Sequence, residues 1–274
     1  MLSVSSDTSN RIFQDKFYTK PEIANKCCDL LKKYVKLSTN DICIEPSAGN
    51  GSFIEPLLKL FKRPVFLDLY PENKNILKRD FLNWDVDNLI SPKQKTHVIG
   101  NPPFGRNSSK AIKFVKKACS FADTVAFILP QSFKKNSMKR FFPANFHLIH
   151  EYIIPKDSFY NNETSYDVKC VYQIWVKKKH KRFIQPRHIP IGYKFVKKNE
   201  NPHISIVRVG FKSGQISTNI STKSPQTNYF IRFKKFSKTL FNQIQNLEFE
   251  TKSFTVGPRS ISKQDIIQKI NVLI

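Results

Sequence analysis

Short strand-like segments alternate with helical segments over about the first 178 residues, and this alternation restricts the possible folds more than any other feature of the chain. Apolar residues recur at helical spacing in residues 20–36 and 108–122, and Ser108 and Ser109 are suited to cap the second of these helices. The strand-like segments are the start of 41–51 and residues 64–70, 95–101, 124–130, 147–155 and 167–177. Alternating strands and helices predict an α/β domain with a largely parallel sheet.

The sequence changes character near residue 178. Residues 177–198, here called the basic run, contain nine Lys and Arg residues and no acidic residue. Beyond it we predict a hairpin at 203–218, a strand at 228–233 and helices at 236–247 and 260–273, the last capped by Ser260 or Ser262. We therefore predict a catalytic domain over residues 1–178 and a basic, small α+β extension over residues 179–274.

Net charge favours a polyanionic partner. The chain has 46 Lys and Arg residues against 21 Asp and Glu residues, a formal charge of +25. So large a surplus attracts nucleic acid, although a lysine-rich surface that is merely solvated remains the simpler alternative for any one side chain. No apolar run is long enough to span a membrane, so no membrane partner is expected.

The cysteines give no sign of a metal site or of disulfides. Cys27, Cys28, Cys43, Cys119 and Cys170 lack the CxxC spacing, and most lie in apolar segments. We interpret them as reduced core residues of an intracellular protein, cytoplasmic or nucleoid-associated (or in the host cytoplasm, if the source is a virus). No bound metal is expected, and the oligomeric state stays open.

The segment ICIEPSAGNG (42–51) predicts a ligand-binding turn. A strand ends at Glu45, and the small residues that follow include Gly49 and Gly51, which let a backbone approach a ligand closely. Open α/β sheets bind ligands at this end of their strands. Glu45 would repel a pyrophosphate and suits a cationic group, such as the ammonium of a methionine moiety.

Three further residues suit a nucleoside. Asp68 ends the next predicted strand and can accept hydrogen bonds from both ribose hydroxyls. Asp80 can accept from an adenine amine, and Phe81 can lie on the ring face. Each feature alone is weak, but their order and spacing together favour a nucleoside-bearing cofactor.

The segment VIGNPPFG (98–105) predicts chemistry on an amine. Asn101 offers a side-chain carbonyl, and Pro102 and Pro103 stiffen the backbone and remove donors. Two acceptor oxygens match the two hydrogens of an exocyclic amine, and Phe104 gives a face on which a flat heterocycle can stack. Holding both hydrogens localises the nitrogen lone pair, so the nitrogen can attack a methyl group on a sulfonium.

These motifs resemble the S-adenosylmethionine-dependent adenine N6 methyltransferases that carry an NPP[FY] motif, and their order is similar to that of the gamma class of DNA adenine methyltransferases. The matching segments are FYTKPEIA (17–24), IEPSAGNGSF (44–53), LDLYP (67–71), RDFL (79–82), VIGNPPF (98–104) and AFILPQSF (126–133).

The resemblance implies a Rossmann-like, seven-stranded class I methyltransferase sheet with one antiparallel strand, and S-adenosylmethionine as cofactor. It also implies cofactor contacts from Thr19, toward the carboxylate, and from the turn that includes Ser47. An aromatic residue before the last hairpin would clamp the extruded base. Phe159 is the first choice, followed by Tyr160 and Tyr166.

The expected function is methyl transfer to the N6 amine of adenine in DNA, on a base flipped out of the duplex. RNA is the alternative polymer, and a non-catalytic nucleic-acid-binding subunit with a relict fold is the alternative from another class. A protein-glutamine methyltransferase would also use such a loop, but the positive charge disfavours a protein substrate. The candidate phosphate contacts are the basic run, which includes Lys177, Lys178 and Lys179, the cluster Arg232, Lys234, Lys235 and Lys238, and Arg106 and Lys110 beside the NPPF segment.

Overall fold

The computed structural model describes residues 17–161, 164–255 and 257–274, without the side chains of residues 161–166. These residues form two compact units, each with its own apolar core. The first unit contains the described residues up to Lys134 together with residues 138–184. The second contains residues 135–137 together with the described residues from Gln185 to Ile274.

The first unit contains most of the secondary structure. In chain order its elements are β1 (Tyr18–Thr19), α1 (Pro21–Tyr34), β2 (Ile42–Glu45), α2 (Ile54–Leu58), β3 (Val65–Asp68), β4 (Leu77–Lys78), β5 (Thr96–Gly100), α3 (Ser109–Phe121), β6 (Thr124–Pro130), α4 (Asn136–Lys139, shared with the second unit), β7 (Phe146–Ile153), β8 (Phe159–Asn161), β9 (Thr164–Tyr166) and β10 (Cys170–Lys177).

A seven-stranded mixed sheet organises this unit, with the strand order β4-β3-β2-β5-β6-β10-β7. The neighbours from β4 to β6 pair in parallel, and β10 pairs antiparallel with both β6 and β7. The expectation of a Rossmann-like class I methyltransferase sheet with one antiparallel strand is therefore confirmed.

Both faces of the sheet are covered, which explains why the central strands β2, β5 and β6 are buried along their whole length. In β6, Ala126 and Ile128 belong to the apolar cluster that includes the buried face of α1. Val125, Phe127 and Leu129 point the other way and belong to the cluster that includes α3. The alternation of side chains along one strand thus joins it to two helical layers.

A separate three-stranded sheet lies in the same unit. In it, β8 pairs antiparallel with both β1 and β9, and the register places Thr19 opposite Phe159. The sequence did not predict this sheet, because β1 has only two residues and β8 and β9 have three each. Strands that short carry almost no periodic signal.

One local expectation needs correction. Ser108 was expected to cap α3, but it has a left-handed backbone with φ of 62°, and its side chain makes no capping hydrogen bond. The helix α2, which contains Pro56, was not predicted above and has only five residues. All five cysteines are free and buried, as predicted.

The second unit is a small α+β module. Its elements are β11 (Tyr193–Val196), β12 (Ile204–Val207), β13 (Ile216–Ser217), β14 (Asn228–Phe233), α5 (Lys238–Gln245) and α6 (Lys263–Ile270), and its sheet has the order β11-β14-β12-β13. The predicted hairpin is confirmed by the pairing of β12 with β13. Ser262 caps α6 and forms a reciprocal capping box with Asp265.

No helix in the described ranges has the length and apolarity needed to cross a bilayer.

One arginine of the basic run has a structural role. Arg182 donates from Nε to the carbonyl of Phe146 at 2.9 Å, and from Nη2 to the carbonyls of Lys139 at 2.8 Å and Phe142 at 2.9 Å. Its guanidinium also lies 5.2 Å from the ring centroid of Trp175. Arg182 therefore fastens the chain after β10 to the segment that leads into β7.

Replacing this arginine should destabilise the fold. Arg182→Met leaves three main-chain carbonyls without their charged donor, so we expect the free energy of unfolding to fall by about 2 kcal/mol or more. Urea unfolding of the full chain measures the change. Lys181→Met removes the same charge from an exposed neighbour and should leave the unfolding midpoint unchanged. Equal midpoints for the two variants would contradict the structural role.

Candidate active site

A cavity of about 380 Å³ opens where β2, β3 and β5 end. These three strands are parallel neighbours, so their carboxyl ends meet at one edge of the sheet. The residues predicted from the sequence that line this cavity are Thr19, Glu45, Ser47, Gly49, Asp68, Asp80, Phe81, Asn101, Pro102, Pro103, Phe104 and Lys110. Five of the segments quoted for the resemblance thus converge on one site.

The glycine turn and Asp68 hold each other in place. Gly49 has φ of 55°, and its N–H donates to Oδ2 of Asp68 at 2.8 Å. Oδ1 of the same carboxylate accepts from the N–H of Tyr70 at 2.8 Å. A carboxylate has about four acceptor positions, so each oxygen keeps capacity for a ligand hydroxyl. The hydrogen bonds from the N–H groups of Gly49 and Tyr70 fix the orientation of the Asp68 carboxylate, and so fix the directions in which it can accept further hydrogen bonds.

Glu45 is a buried carboxyl at the end of β2. It is 2% exposed, and its Oε2 has no hydrogen-bond partner among the described residues. Loss of water on burial raises the pKa of Glu45 well above its usual range, and the negative charge of Asp68 raises it further. A buried carboxyl without a partner suits a cation or a donor brought by a ligand.

Room for Glu45 comes from the neighbouring strand. Gly100 has φ of 148°, and a Cβ built there would lie 3.1 Å from Cγ of Glu45. Any larger residue at the end of β5 would push on the buried carboxyl. Gly100, which directly precedes the NPPF segment, therefore has a packing reason to be glycine.

Asp80 and Phe81 form another part of the wall. Asp80 accepts from the N–H of Leu82 at 3.0 Å and from the amide of Asn83 at 2.6 Å. Phe81 is 2% exposed and stacks on Phe114 with ring centroids 5.3 Å apart. Phe81 is thus a fixed apolar surface rather than a mobile ring.

The amide of Asn101 is held by its nitrogen. Nδ2 donates to Oγ1 of Thr19 at 3.1 Å and to the carbonyl of Phe17 at 3.3 Å. A carbonyl can only accept, so the nitrogen must be on that side and Oδ1 on the other. Oδ1 is buried and has no partner among the described residues.

A hydrogen bond joins the glycine turn to the NPPF segment. The hydroxyl of Ser47 donates to the main-chain carbonyl of Asn101 at 3.1 Å. Pro102 is buried, whereas Pro103 and Phe104 are half-buried in the cavity wall. The position of the amide is therefore fixed by two separate parts of the chain.

Thr19 has a contact that the sequence did not predict. It was expected to touch the carboxylate of a cofactor, yet it is 3% exposed and its Oγ1 accepts from Asn101. A hydroxyl can donate and accept at once, so the two contacts are compatible. Its place opposite Phe159 in the small sheet fixes its position.

Several predicted residues are not at the cavity. Gly51, with φ of 96°, packs against Ile54, where a Cβ would come within 2.6 Å of Cδ1. Phe159 is 1% exposed in the apolar core, which fits packing rather than the clamping of an extruded base. The predicted residues that are exposed and away from the cavity are Arg106, Lys177, Lys178 and Lys179. The side chain of Tyr166 is outside the described residues.

Tyr18 and Asn50 are polar residues of the cavity wall that the sequence analysis did not predict as site residues. The Tyr18 ring lies against Gly49, and its hydroxyl donates to Glu72. Burial and the adjacent Glu72 raise the pKa of Tyr18 above its usual range. Asn50 donates to the hydroxyl of Tyr160, whose ring centroid is 5.6 Å from that of Tyr18. The only available signal was the place of Tyr18 and Asn50 inside the quoted motifs.

Comparison with known proteins supports a methyltransferase domain. A family model of the EDM2 methyltransferase-like domain matches residues 65–181, which is less than half of the chain. Curated protein sequences give no significant match. Residues 65–181 thus match a methyltransferase-like domain, and the sheet of the first unit has the class I methyltransferase fold.

Similar solved structures have low sequence identity. A candidate RNA methyltransferase from Pyrococcus horikoshii is 15% identical, with a TM-score of 0.48 over 61% of this chain and 88% of that one. The 23S rRNA methyltransferase ErmE is 12% identical, with a TM-score of 0.45 over 61% and 72%. A modification subunit of a candidate type I restriction enzyme from Vibrio vulnificus YJ016 is 14% identical, with a TM-score of 0.44 over 62% and 48%.

The buried Glu45 should make stability depend on pH. Because its pKa is raised in the folded state, the unfolded chain loses this proton first, and stability falls as the pH rises above the usual glutamate range. We expect Glu45→Gln to raise the melting temperature of the cofactor-free protein, and to raise it more at about pH 8 than at about pH 5.

Thermal unfolding at the two pH values measures this difference. Glu55→Gln is the matched control, since Glu55 is exposed on α2 and the same substitution there should give no pH-dependent gain. A gain for Glu45→Gln that is the same at both pH values would contradict burial of an ionisable carboxyl.

Proposed function

We propose that the protein transfers a methyl group from S-adenosylmethionine to the N6 amine of adenine in a nucleic acid, with DNA as the expected polymer. The observation that carries this proposal is the buried Oδ1 of Asn101, which has no partner in the described structure while its own Nδ2 is held on two acceptors. An unpaired buried acceptor costs about 1–3 kcal/mol. A substrate amine would satisfy it.

The chemistry follows from that acceptor. The bound cofactor supplies an electrophilic methyl group on a sulfonium. Oδ1 of Asn101 accepts a hydrogen of the substrate amine and favours a tetrahedral nitrogen with a localised lone pair. This hydrogen bond strengthens as the nitrogen becomes positive, which stabilises the transition state. The cofactor would supply the methyl group to this nitrogen and leave as a neutral thioether, and the methylated amine would lose its extra proton to water.

The cavity has side chains suited to each part of the cofactor. The spare acceptor positions of Asp68 suit ribose hydroxyls, and Asp80 and Phe81 suit an adenine edge and face. Glu45 suits the ammonium of the methionine moiety, whose charge would offset the burial of the carboxylate. Hydrogen bonds of the protein itself hold Asp68 and Asp80 in place before any ligand binds.

Charge supports a nucleic acid as substrate. Exposed Arg79 and Lys110 line the cavity, and the chain has a formal charge of +25. The order of the motifs, similar to that of gamma-class enzymes, favours DNA over RNA. A base must leave the stack to reach Asn101, so the substrate is a flipped-out or unpaired adenine.

Asn101→Ala should abolish methyl transfer without loss of cofactor binding. Removing the acceptor removes stabilisation of the developing charge, so we expect kcat to fall by a factor of about a hundred or more. Transfer of a radiolabelled methyl group to duplex DNA, single strands and structured RNA measures activity, and calorimetry measures binding of S-adenosylmethionine.

Asn88→Ala is the matched control, because Asn88 is exposed outside the cavity and its loss should leave activity unchanged. Full activity of Asn101→Ala would refute the proposal. Failure of the unsubstituted protein to bind S-adenosylmethionine would instead favour a non-catalytic subunit. Methylation of RNA alone would reassign the polymer and keep the chemistry.

Thr19 acts as a positioning residue for the amide. Thr19→Val keeps the shape of the side chain and removes the acceptor that holds Nδ2 of Asn101, so we expect kcat to fall by about tenfold. Thr19→Ser restores the hydroxyl and should recover most of that rate. A rate loss that Thr19→Ser does not recover would indicate that packing, rather than the hydrogen bond, is what matters.

A further inference from the structure

The second unit contains a cavity of its own, of about 740 Å³. It lies where β11 ends and β14 begins, strands that pair with Val196 opposite Phe230. The side chains on which the argument rests are Phe195, Lys197, Asn228, Tyr229 and Lys263. The lining includes three lysines and, within the described residues, no acidic side chain.

Cations and aromatic rings are interleaved in this cavity. Nζ of Lys263 lies 4.8 Å from the ring centroid of Phe195 and 5.8 Å from that of Tyr229. The two rings meet edge to face, with centroids 5.8 Å apart. Lys197 is exposed beside them, whereas Lys198 is tied to the carbonyl of Ser221 at 2.7 Å. Flat rings next to the exposed cations Lys197 and Lys263 suit a ligand that is both planar and anionic.

Asn228 gives the cavity a hydrogen-bond acceptor without a partner. It is 7% exposed, and its Nδ2 donates to the carbonyl of Ser224 and to Oγ1 of Thr227, both at 3.0 Å. Because the main-chain carbonyl of Ser224 can only accept a hydrogen bond, the amide nitrogen of Asn228 must face it and Oδ1 must point the other way. Its Oδ1 is buried and has no partner in the described structure. The same arrangement, with the nitrogen held and the oxygen left over, occurs at Asn101 in the first unit.

Lys263 is not explained by the stability of its helix. It begins α6, where Ser262 and Asp265 already satisfy the end of the helix through their capping box. A cation at a helix N-terminus opposes the helix dipole, so this position is unfavourable for a lysine. Lys263 instead lies over the rings of Phe195 and Tyr229, where its charge can contact a ligand in the cavity.

We propose that this cavity binds one nucleotide of a single-stranded nucleic acid, with the base stacked on the aromatic rings, a base-edge donor on Asn228 and the phosphate on Lys197 or Lys263. Only an unpaired base has its face and edge free for such contacts. An acidic peptide would use the lysines, but not the rings or the amide oxygen. The proposal rests on the proposed function only for the choice of nucleic acid as partner.

The test measures strand binding by the full-length protein. Fluorescence anisotropy with labelled single strands of about twelve nucleotides, as DNA and as RNA, gives the dissociation constants. We expect Phe195→Leu to weaken binding by about fivefold or more, because stacking on the ring is lost. Lys263→Met, which removes a charge from a surface side chain, gives a second reading if Phe195→Leu is unstable.

Two matched controls lie in the same unit. Phe211→Leu makes the same change at an exposed ring outside the cavity, which also lies beneath a cation, Arg259. Lys269→Met removes an exposed lysine from the same helix as Lys263. We expect each control to bind strands as the unsubstituted protein does. The DNA and RNA strands separate the two sources of the nucleotide.

Three results would overturn the proposal. One is equal weakening by a cavity variant and its control, and another is an abasic strand that binds as tightly as one with bases. The third is a competition experiment in which oligoglutamate displaces the strands equally well from the unsubstituted protein and from Phe195→Leu. That result would mean that the cavity contributes only positive charge to binding. Failure here is separable from failure of the proposed function, because Asn101→Ala tests methyl transfer and lies outside this cavity.

Discussion

The parallel pairing of β2 with β3 on one side and β5 on the other is the constraint on which the site depends. It brings the ends of three strands, separated by many residues in the chain, to one edge of the sheet. Each strand then contributes one polar group just where it ends: Glu45, Asp68 and Asn101. The apolar layers on both faces keep the strands in register and so keep these groups together.

The sequence predicted six strands of the large sheet from their apolar segments, and it missed β4, which has only two residues. It also predicted twelve of the residues that line the cavity, because Glu45, Asp68 and Asn101 lie at strand ends. It missed the small sheet of β1, β8 and β9, and therefore the bond between Thr19 and Asn101. Pairing between short segments far apart in sequence has no local pattern from which to predict it.

Charge alone was a poor guide to the role of single residues. The basic run was predicted to grip phosphates, yet Arg182 uses its guanidinium on three carbonyls and a tryptophan ring. Phe159 was chosen as a base clamp from its position in the motif order, and it is a core residue. Burial decides such cases, and burial depends on the tertiary fold, which a list of residue types does not contain.

The short strand β1 has a consequence for how the site could be controlled. The amide of Asn101 is oriented by Thr19, which lies in the two-residue strand β1 held on β8, and by Phe17, which directly precedes that strand. Detaching this strand would free the amide to rotate while the glycine turn and Asp68 stayed bonded to each other. Under the proposed function, a ligand or modification that displaced residues 17–19 would therefore slow methyl transfer, because the Asn101 amide would lose both acceptors that orient it and the cavity would lose part of its wall.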